Sequence, residues 1–171
     1  HKIKMLLGME GYLINRASGE IEEIRARREK AGRGLSREEL AEFKSDIHHI
    51  ILYARTTAGL RNLYELVTQS HCQYFYSKPL LPRDVLLQYR DGLLIGSACE
   101  CGELYRLVLD RHTERLTETE FAERFAAAQI LYDYIEIQPR ANNAFYIAKG
   151  VVGSEADLEA INQRLCALGE Q

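Results

Sequence analysis

Residues 92–103, Gly-Leu-Leu-Ile-Gly-Ser-Ala-Cys-Glu-Cys-Gly-Glu, constrain the fold more than any other stretch. A short apolar run ends abruptly in small residues, a thiol and a Gly-Glu pair. A buried parallel strand has this pattern when it delivers a reactive side chain to the carboxyl edge of a sheet and then turns into a helix. Three other runs read as strands: 4–14 with Glu10 inside it, 50–54 entered through His48 and His49, and 132–138 stopped by Pro139. The strand within 92–103 covers 93–97.

Helical signals lie between these runs. Leu60, Leu63, Tyr64 and Val67 have the spacing of one helical face within 57–70. A helix is expected over 103–109. Thr117-Glu118-Thr119-Glu120 has capping-box spacing and opens an Ala-rich helix to about 131. Ser154-Glu155-Ala156-Asp157 caps a last helix with Leu158, Ile161, Leu165 and Leu168 on one side and Gly169 as its stop. Residues 74–82, with two prolines, read as an extended arm, and Pro82 suits the start of a helix over 83–89.

Residues 16–46 are a charged linker. Glu23 and Arg27 favour one short helix, Gly32 and Gly34 interrupt it, and Ser36-Arg37-Glu38-Glu39 starts another. Arg25, Arg27, Arg28, Lys30, Arg33 and Arg37 alternate with acidic residues, so a water-facing connection is expected rather than a phosphate-binding patch. Strands alternating with helices imply mostly parallel pairing in an α/β sheet or barrel.

With 171 residues and 46% hydrophobic content, one core is the simplest organisation. A net charge of -3 argues against holding nucleic acid by bulk electrostatics. No apolar run approaches the ~20 residues of a membrane span, and no signal segment opens the chain. Cys72, Cys99, Cys101 and Cys166 show no disulfide framework and read as reduced thiols in a cytoplasmic protein. Cys72, Cys101 and Cys166 read as small buried hydrophobes. The abrupt start at His1 and the end at Gln171 suggest a piece of something larger.

Ligands of parallel α/β folds bind beyond the carboxyl ends of the strands, so polar groups there carry the chemistry. Glu10 inside an apolar strand needs a cation, a metal or a donor cluster if it is buried. His49 opens the second strand and Cys99 ends the third. Carboxylate, imidazole and thiol together suit Zn or another first-row divalent ion. A salt bridge at Glu10 and a merely hydrogen-bonded His49 are the structural alternatives. Cys-x-x-Cys, a phosphate loop, Gly-x-Ser-x-Gly and His-Glu-x-x-His are all missing from the sequence.

Several stretches together resemble one family. Ile3-Lys4-Met5-Leu6-Leu7-Gly8-Met9-Glu10-Gly11-Tyr12-Leu13 resembles the "I-K-x-(L/I)-x-G-x-E-x-Y" strand of the polymerase-and-histidinol-phosphatase (PHP) domain of bacterial replicative polymerases. Residues 49–63 resemble its "H-x-x-L-L-A-x-(N/D)-x-x-G-x-x-N-L" block. Ser70-His71, Tyr74-Phe75-Tyr76, Pro79-Leu80-Leu81-Pro82-Arg83, and the blocks 89–99 and 132–139 look like the PolC-type alpha subunits of DNA polymerase III in particular. The resemblance covers most of 2–14 and 47–140.

It implies a partial, distorted (β/α)7 barrel holding divalent metal ions (Zn, Mn or Mg). The family's central ligand positions fall on Glu10, His49 and Cys99, with His71 and Glu136 as weaker candidates to steady those ligands from behind; no catalytic residue is assigned. The family's His-x-His pair has no counterpart here, and its last ligand block would begin past Gln171, so an incomplete site that keeps little stoichiometric metal through purification is expected. The exonuclease that PolC-type enzymes usually carry between the Glu and His strands is replaced by the linker 16–46. The resemblance implies a parent DNA-directed DNA polymerase whose partners are DNA and other replisome subunits, with no membrane. It implies weak or no nucleic-acid binding, and no activity, for this piece alone. Two other readings are a non-catalytic scaffold docking replisome partners and a free-standing metal-dependent phosphoesterase.

Overall fold

Antiparallel pairing of β1 (Gly8–Ile14) with β2 (Ile47–Ala54) organises the first part of the chain, in the register Gly8 opposite Tyr53 through Ile14 opposite Ile47. The structure is a computed structural model describing all residues except His1, Lys2, Lys4, Arg33 and Gln171. Lys4 of the expected first strand, Arg33 of the basic cluster, and the chain's first two residues and last residue therefore lie outside the described residues. Two compact units divide at 94/95.

In the first unit the strand order is β3-β4-β1-β2. β4 (Lys78–Pro82) runs parallel to β1, with Leu80, Leu81 and Pro82 opposite Tyr12, Leu13 and Ile14, and β3 (Phe75–Tyr76) is antiparallel to β4. The expected arm at 74–82 is thus two strands. Mostly parallel pairing does not hold in this unit, where two of three pairings are antiparallel. The cause is where the excursion between β1 and β2 closes. Ile14 and Ile47 face each other, and the Asn15 N–H donates to the Asp46 carbonyl at 3.2 Å. A segment that leaves and returns at one edge must send the next strand back alongside the first.

That excursion is two helices, as the Glu23–Arg27 pair and the Ser36 capping box predict: α1 (Ser18–Ala31) and α2 (Arg37–Ser45). The Ser18 N–H and hydroxyl both donate to the Asp84 carboxylate, tying the start of α1 to α4 (Arg83–Gln88). Ser36 and Glu39 close a capping box on α2. Ile21 and Phe43 are buried, and Phe43 meets the Tyr76 ring edge-on at 5.1 Å. The water-facing character expected of 16–46 belongs only to the rest of it. Arg16 binds Asp46 at 2.6 Å and Glu42 at 3.2 Å, and also Glu20.

The sheet's period of two puts Leu13, Ile50 and Leu52 on one buried face. α3 (Thr57–Cys72) starts where the Thr56 hydroxyl accepts the Gly59 N–H at 3.0 Å. Its buried stripe is Gly59, Leu63, Leu66 and Ser70, spaced i, i+4, i+7 and i+11. Tyr64 and Val67, assigned from spacing to the apolar face, are instead exposed at 61% and 36%. The sequence offered two overlapping stripes, and the core took the one containing the glycine.

The boundary between the units falls within β5 (Leu93–Gly96). In the second unit α5 (Glu103–His112), α6 (Glu118–Gln129) and α8 (Glu155–Gly169) enclose Leu104, Val108, Phe121, Phe125, Leu158, Ile161 and Leu165. A 3-10 turn at Arg140–Asn143 and the short α7 (Phe145–Ala148) precede α8. Gly169 is the last helical residue, followed by Glu170 in right-handed geometry, so it is not a left-handed stop.

The strand expected at 132–138 does not form; one parallel bridge joins Gly96 and Tyr134. The Asp133 and Tyr134 N–H groups donate to the Ile95 carbonyl and the Ser97 N–H to the Tyr134 carbonyl, and side chains add further bonds. The Asp133 carboxylate accepts the Ile95 N–H at 2.7 Å, and the Ser97 hydroxyl accepts the Glu136 N–H at 2.8 Å. The chain belongs to the mixed α/β class, and its described residues do not make a complete (β/α)7 barrel. No helix among the described residues is long and apolar enough to cross a membrane.

These helix ends make stability depend on acid. Asp157 is held below its ordinary 3.8 by the Ser154 hydroxyl and then by His112. Glu39 and Glu120 are held below 4.5 chiefly by the cap N–H groups of Ser36 and Thr117, and Glu118 by Arg111 and Arg164. Depressed folded values give stability that is complete above the ordinary carboxylate range and lost as pH falls through the lower folded values. Melting temperature should therefore hold from neutral pH down to that range and fall below it. Asp157→Asn should flatten part of the fall, and an unchanged acid limb would contradict the assignment.

Candidate metal centre

Alternation along β1 and β2 puts Glu10, Tyr12, His49 and Ile51 on the face opposite Leu13 and Ile50. Glu10 stands opposite Ile51, and His49 opposite Tyr12, so Glu10 and His49 are diagonal neighbours across an antiparallel pair. Their side chains meet, with His49 Nδ1 at 2.5 Å from Glu10 Oε1. The Tyr12 ring lies edge-on to the imidazole, 5.3 Å between centroids and 79° between planes. The Lys78 ammonium sits 4.3 Å from the Tyr12 centroid. Glu10 is the more exposed of the pair, 54% against 26% for His49.

The expectation that strand carboxyl ends present these groups is corrected here. Glu10 and His49 meet in mid-ladder on a sheet face, because their strands run in opposite directions. Glu10 is not a stranded buried carboxylate, since it already has its imidazole.

Cys99 sits in the second unit, on the turn between β5 and α5. The Gly102 N–H closes that turn on the Cys99 carbonyl at 2.8 Å. A Cβ at Gly102 would strike the Ser97 carbonyl oxygen, so only glycine lets α5 start this close to the strand end. Ala98, buried at 3%, has φ 58°, a left-handed conformation costly for a residue with a Cβ. Burial pushes the Cys99 thiol up to about 11, eased by the Cys101 N–H and raised further by the Glu100 charge. Such a thiol stays protonated at neutral pH unless a cation displaces the proton.

Glu136 lies in the same unit, its N–H on Ser97 and its carboxylate accepting the Tyr134 hydroxyl at 3.3 Å. His71 is exposed on the last turn of α3, with Nδ1 2.9 Å from the Val67 carbonyl of its own helix. Sequence reasoning missed Tyr12 and Lys78, whose signal was their position in the alternation. It also set Cys101 aside as a hydrophobe. That residue is half-buried, its thiol 3.8 Å from Glu100 Oε1 and its sulfur within 4.8 Å of that of Cys99.

Carboxylate, imidazole and thiol are the donor types of first-row divalent ions, so the chemistry of these residues fits such an ion. The family model described as PHP domain matches residues 1–140, and the chain belongs to the PHP domain family. It is 44% identical over 128 residues to a protein described as DNA polymerase III PolC-type from Clostridium perfringens, covering 75% of this chain and 8% of that protein. The like-named protein of Halalkalibacterium halodurans is 41% identical over 123 residues, covering 72% and 8%. That of Caldanaerobacter subterraneus is 37% identical over 128 residues, covering 75% and 9%. The chain therefore spans less than a tenth of the length of these relatives.

Proposed function

We propose that this chain is a metal-binding PHP portion of a replicative DNA polymerase of the PolC type, with Glu10, His49 and Cys99 as metal ligands. The observation that carries the ligand assignment is the Glu10–His49 contact, a carboxylate and an imidazole brought together on one sheet face by register alone. Tyr12 braces the imidazole plane, and Lys78 packs on the Tyr12 ring. Glu136, fastened beside Ser97, is the candidate to steady the Cys99 turn. His71, turned onto its own helix, is the weaker one.

A bound divalent ion would polarise a phosphoryl oxygen and lower the pKa of a water, the chemistry of phosphoester hydrolysis. Nucleotide addition to a primed template would belong to the rest of such a polymerase, together with its DNA and replisome contacts. The net charge of -3 supports leaving bulk DNA binding to other parts of the protein.

Titration of the chain with Zn2+ against a chromophoric chelator tests the assignment. Glu10→Ala, His49→Ala and Cys99→Ala should each weaken uptake by at least about tenfold, since even outer partners of metal ligands are worth that much. Unchanged uptake in Glu10→Ala and His49→Ala would overturn the reading.

A further inference from the structure

The turn at residues 98–102 carries two thiols, and the reading above uses only one. Cys99 and Cys101 are both half-buried, and their sulfurs lie within 4.8 Å of each other. A direct disulfide across a single residue would be strained. Two thiolates on one tetrahedral zinc, each at about 2.3 Å, would stand about 3.8 Å apart, a small closing movement from this arrangement. The turn is already tightened for it. The Gly102 N–H fixes the Cys99 carbonyl, the Cys101 N–H is directed at the Cys99 side chain, and Ala98 is held left-handed with its side chain buried. An uncommon backbone conformation kept by a buried alanine next to two thiols is strain at a place where it aims side chains.

We propose that Cys99 and Cys101 are a two-thiol chelate for a soft divalent cation, Zn2+ or its spectroscopic substitute Cd2+, which makes this centre selective against Mn2+ and Mg2+. The inference rests on the reading of Cys99 as a metal ligand and adds Cys101 to it. Each thiol gives its proton to the buffer as its sulfur takes the cation, so no oxidant or reductant is required. Soft sulfur donors prefer zinc and cadmium, whereas magnesium and manganese prefer oxygen.

The test is Cd2+ titration of the reduced chain in a Cys72→Ser/Cys166→Ser background, which removes the two exposed thiols. The ultraviolet thiolate-to-cadmium charge-transfer band should appear at one ion per chain. Cys101→Ser should halve the band and weaken Cd2+ binding at least tenfold, leaving Mn2+ binding unchanged. A full band in Cys101→Ser that vanishes in Cys99→Ser overturns the inference and leaves Cys99 as a ligand. No band in the background protein overturns both. A readout without substitution at the turn guards against misfolding. In the unsubstituted chain, Zn2+ should protect Cys99 and Cys101, but not Cys72 and Cys166, from alkylation read by peptide mass spectrometry. Protection of Cys99 alone would again overturn the chelate.

Discussion

Leu104→Ala should destabilise the second unit by about 2–5 kcal/mol, the cost of removing a large aliphatic side chain from a site that cannot collapse around the gap. Leu104 has no exposed surface and sits in the first turn of α5, where the helix leaves the cysteine turn. It belongs to the same apolar cluster as Val108, Ile161 and Leu165, so both α5 and α8 would line the cavity. Ile130→Ala in the same unit is the control. Ile130 is 78% exposed, and its truncation should stay within about 0.5 kcal/mol of the parent. Denaturant melts of both variants measure the difference. Equal costs would mean that the cluster around Leu104 is not the core of this unit.

Gly59→Ala is expected to destabilise by about 1–3 kcal/mol, and its sign is the informative part. Gly59 lies in α3, where alanine is normally the better helix former by about 1 kcal/mol. In this helix a Cβ would run into the backbone carbonyl of Gly92. A flexible side chain could rotate away, but this backbone is pinned. The Arg55 N–H donates to the Gly92 carbonyl at 2.9 Å, and the Asn62 amide donates to the Asp91 carbonyl at 2.8 Å. Gly92 also has φ 71°, which few other residues adopt. The clash should outweigh the propensity gain and lower the melting temperature. A rise would show that α3 and the 90–92 turn are not in contact.

What could be read in the sequence was local. The capping boxes at Ser36, Thr117 and Ser154 start helices because a hydroxyl or carboxylate needs only its own next three residues to act. The direction of β2 was not legible, because it depends on where the excursion over 15–46 comes back to Asp46, and no short window records that. The run 132–138 has the apolar pattern of a strand. Its backbone bonds to Ile95 and Ser97 involve Asp133 and Tyr134, and the Asp133 carboxylate and the Ser97 hydroxyl take further N–H groups that a longer ladder would have paired. Tyr64 and Leu66 compete for the buried side of α3, and the winner is decided by a glycine's close approach to Gly92, a contact across 33 positions of sequence.

The candidate site was half legible. Glu10 and His49 stood out as polar residues in apolar strands, and likeness to the PHP family pointed to the same pair. Their meeting across an antiparallel diagonal followed from the register instead. Cys101 was discounted as a small buried hydrophobe, yet two thiols one residue apart can share a metal without bonding to each other.

Zinc K-edge X-ray absorption of the zinc-loaded chain tests the central claim most directly. A mixed shell is expected, with sulfur at about 2.3 Å and nitrogen or oxygen at about 2.0–2.2 Å. The sulfur contribution should be lost in the Cys99→Ser/Cys101→Ser double variant, and the imidazole signature in His49→Ala. A shell of oxygen alone, unaltered by these substitutions, would contradict it.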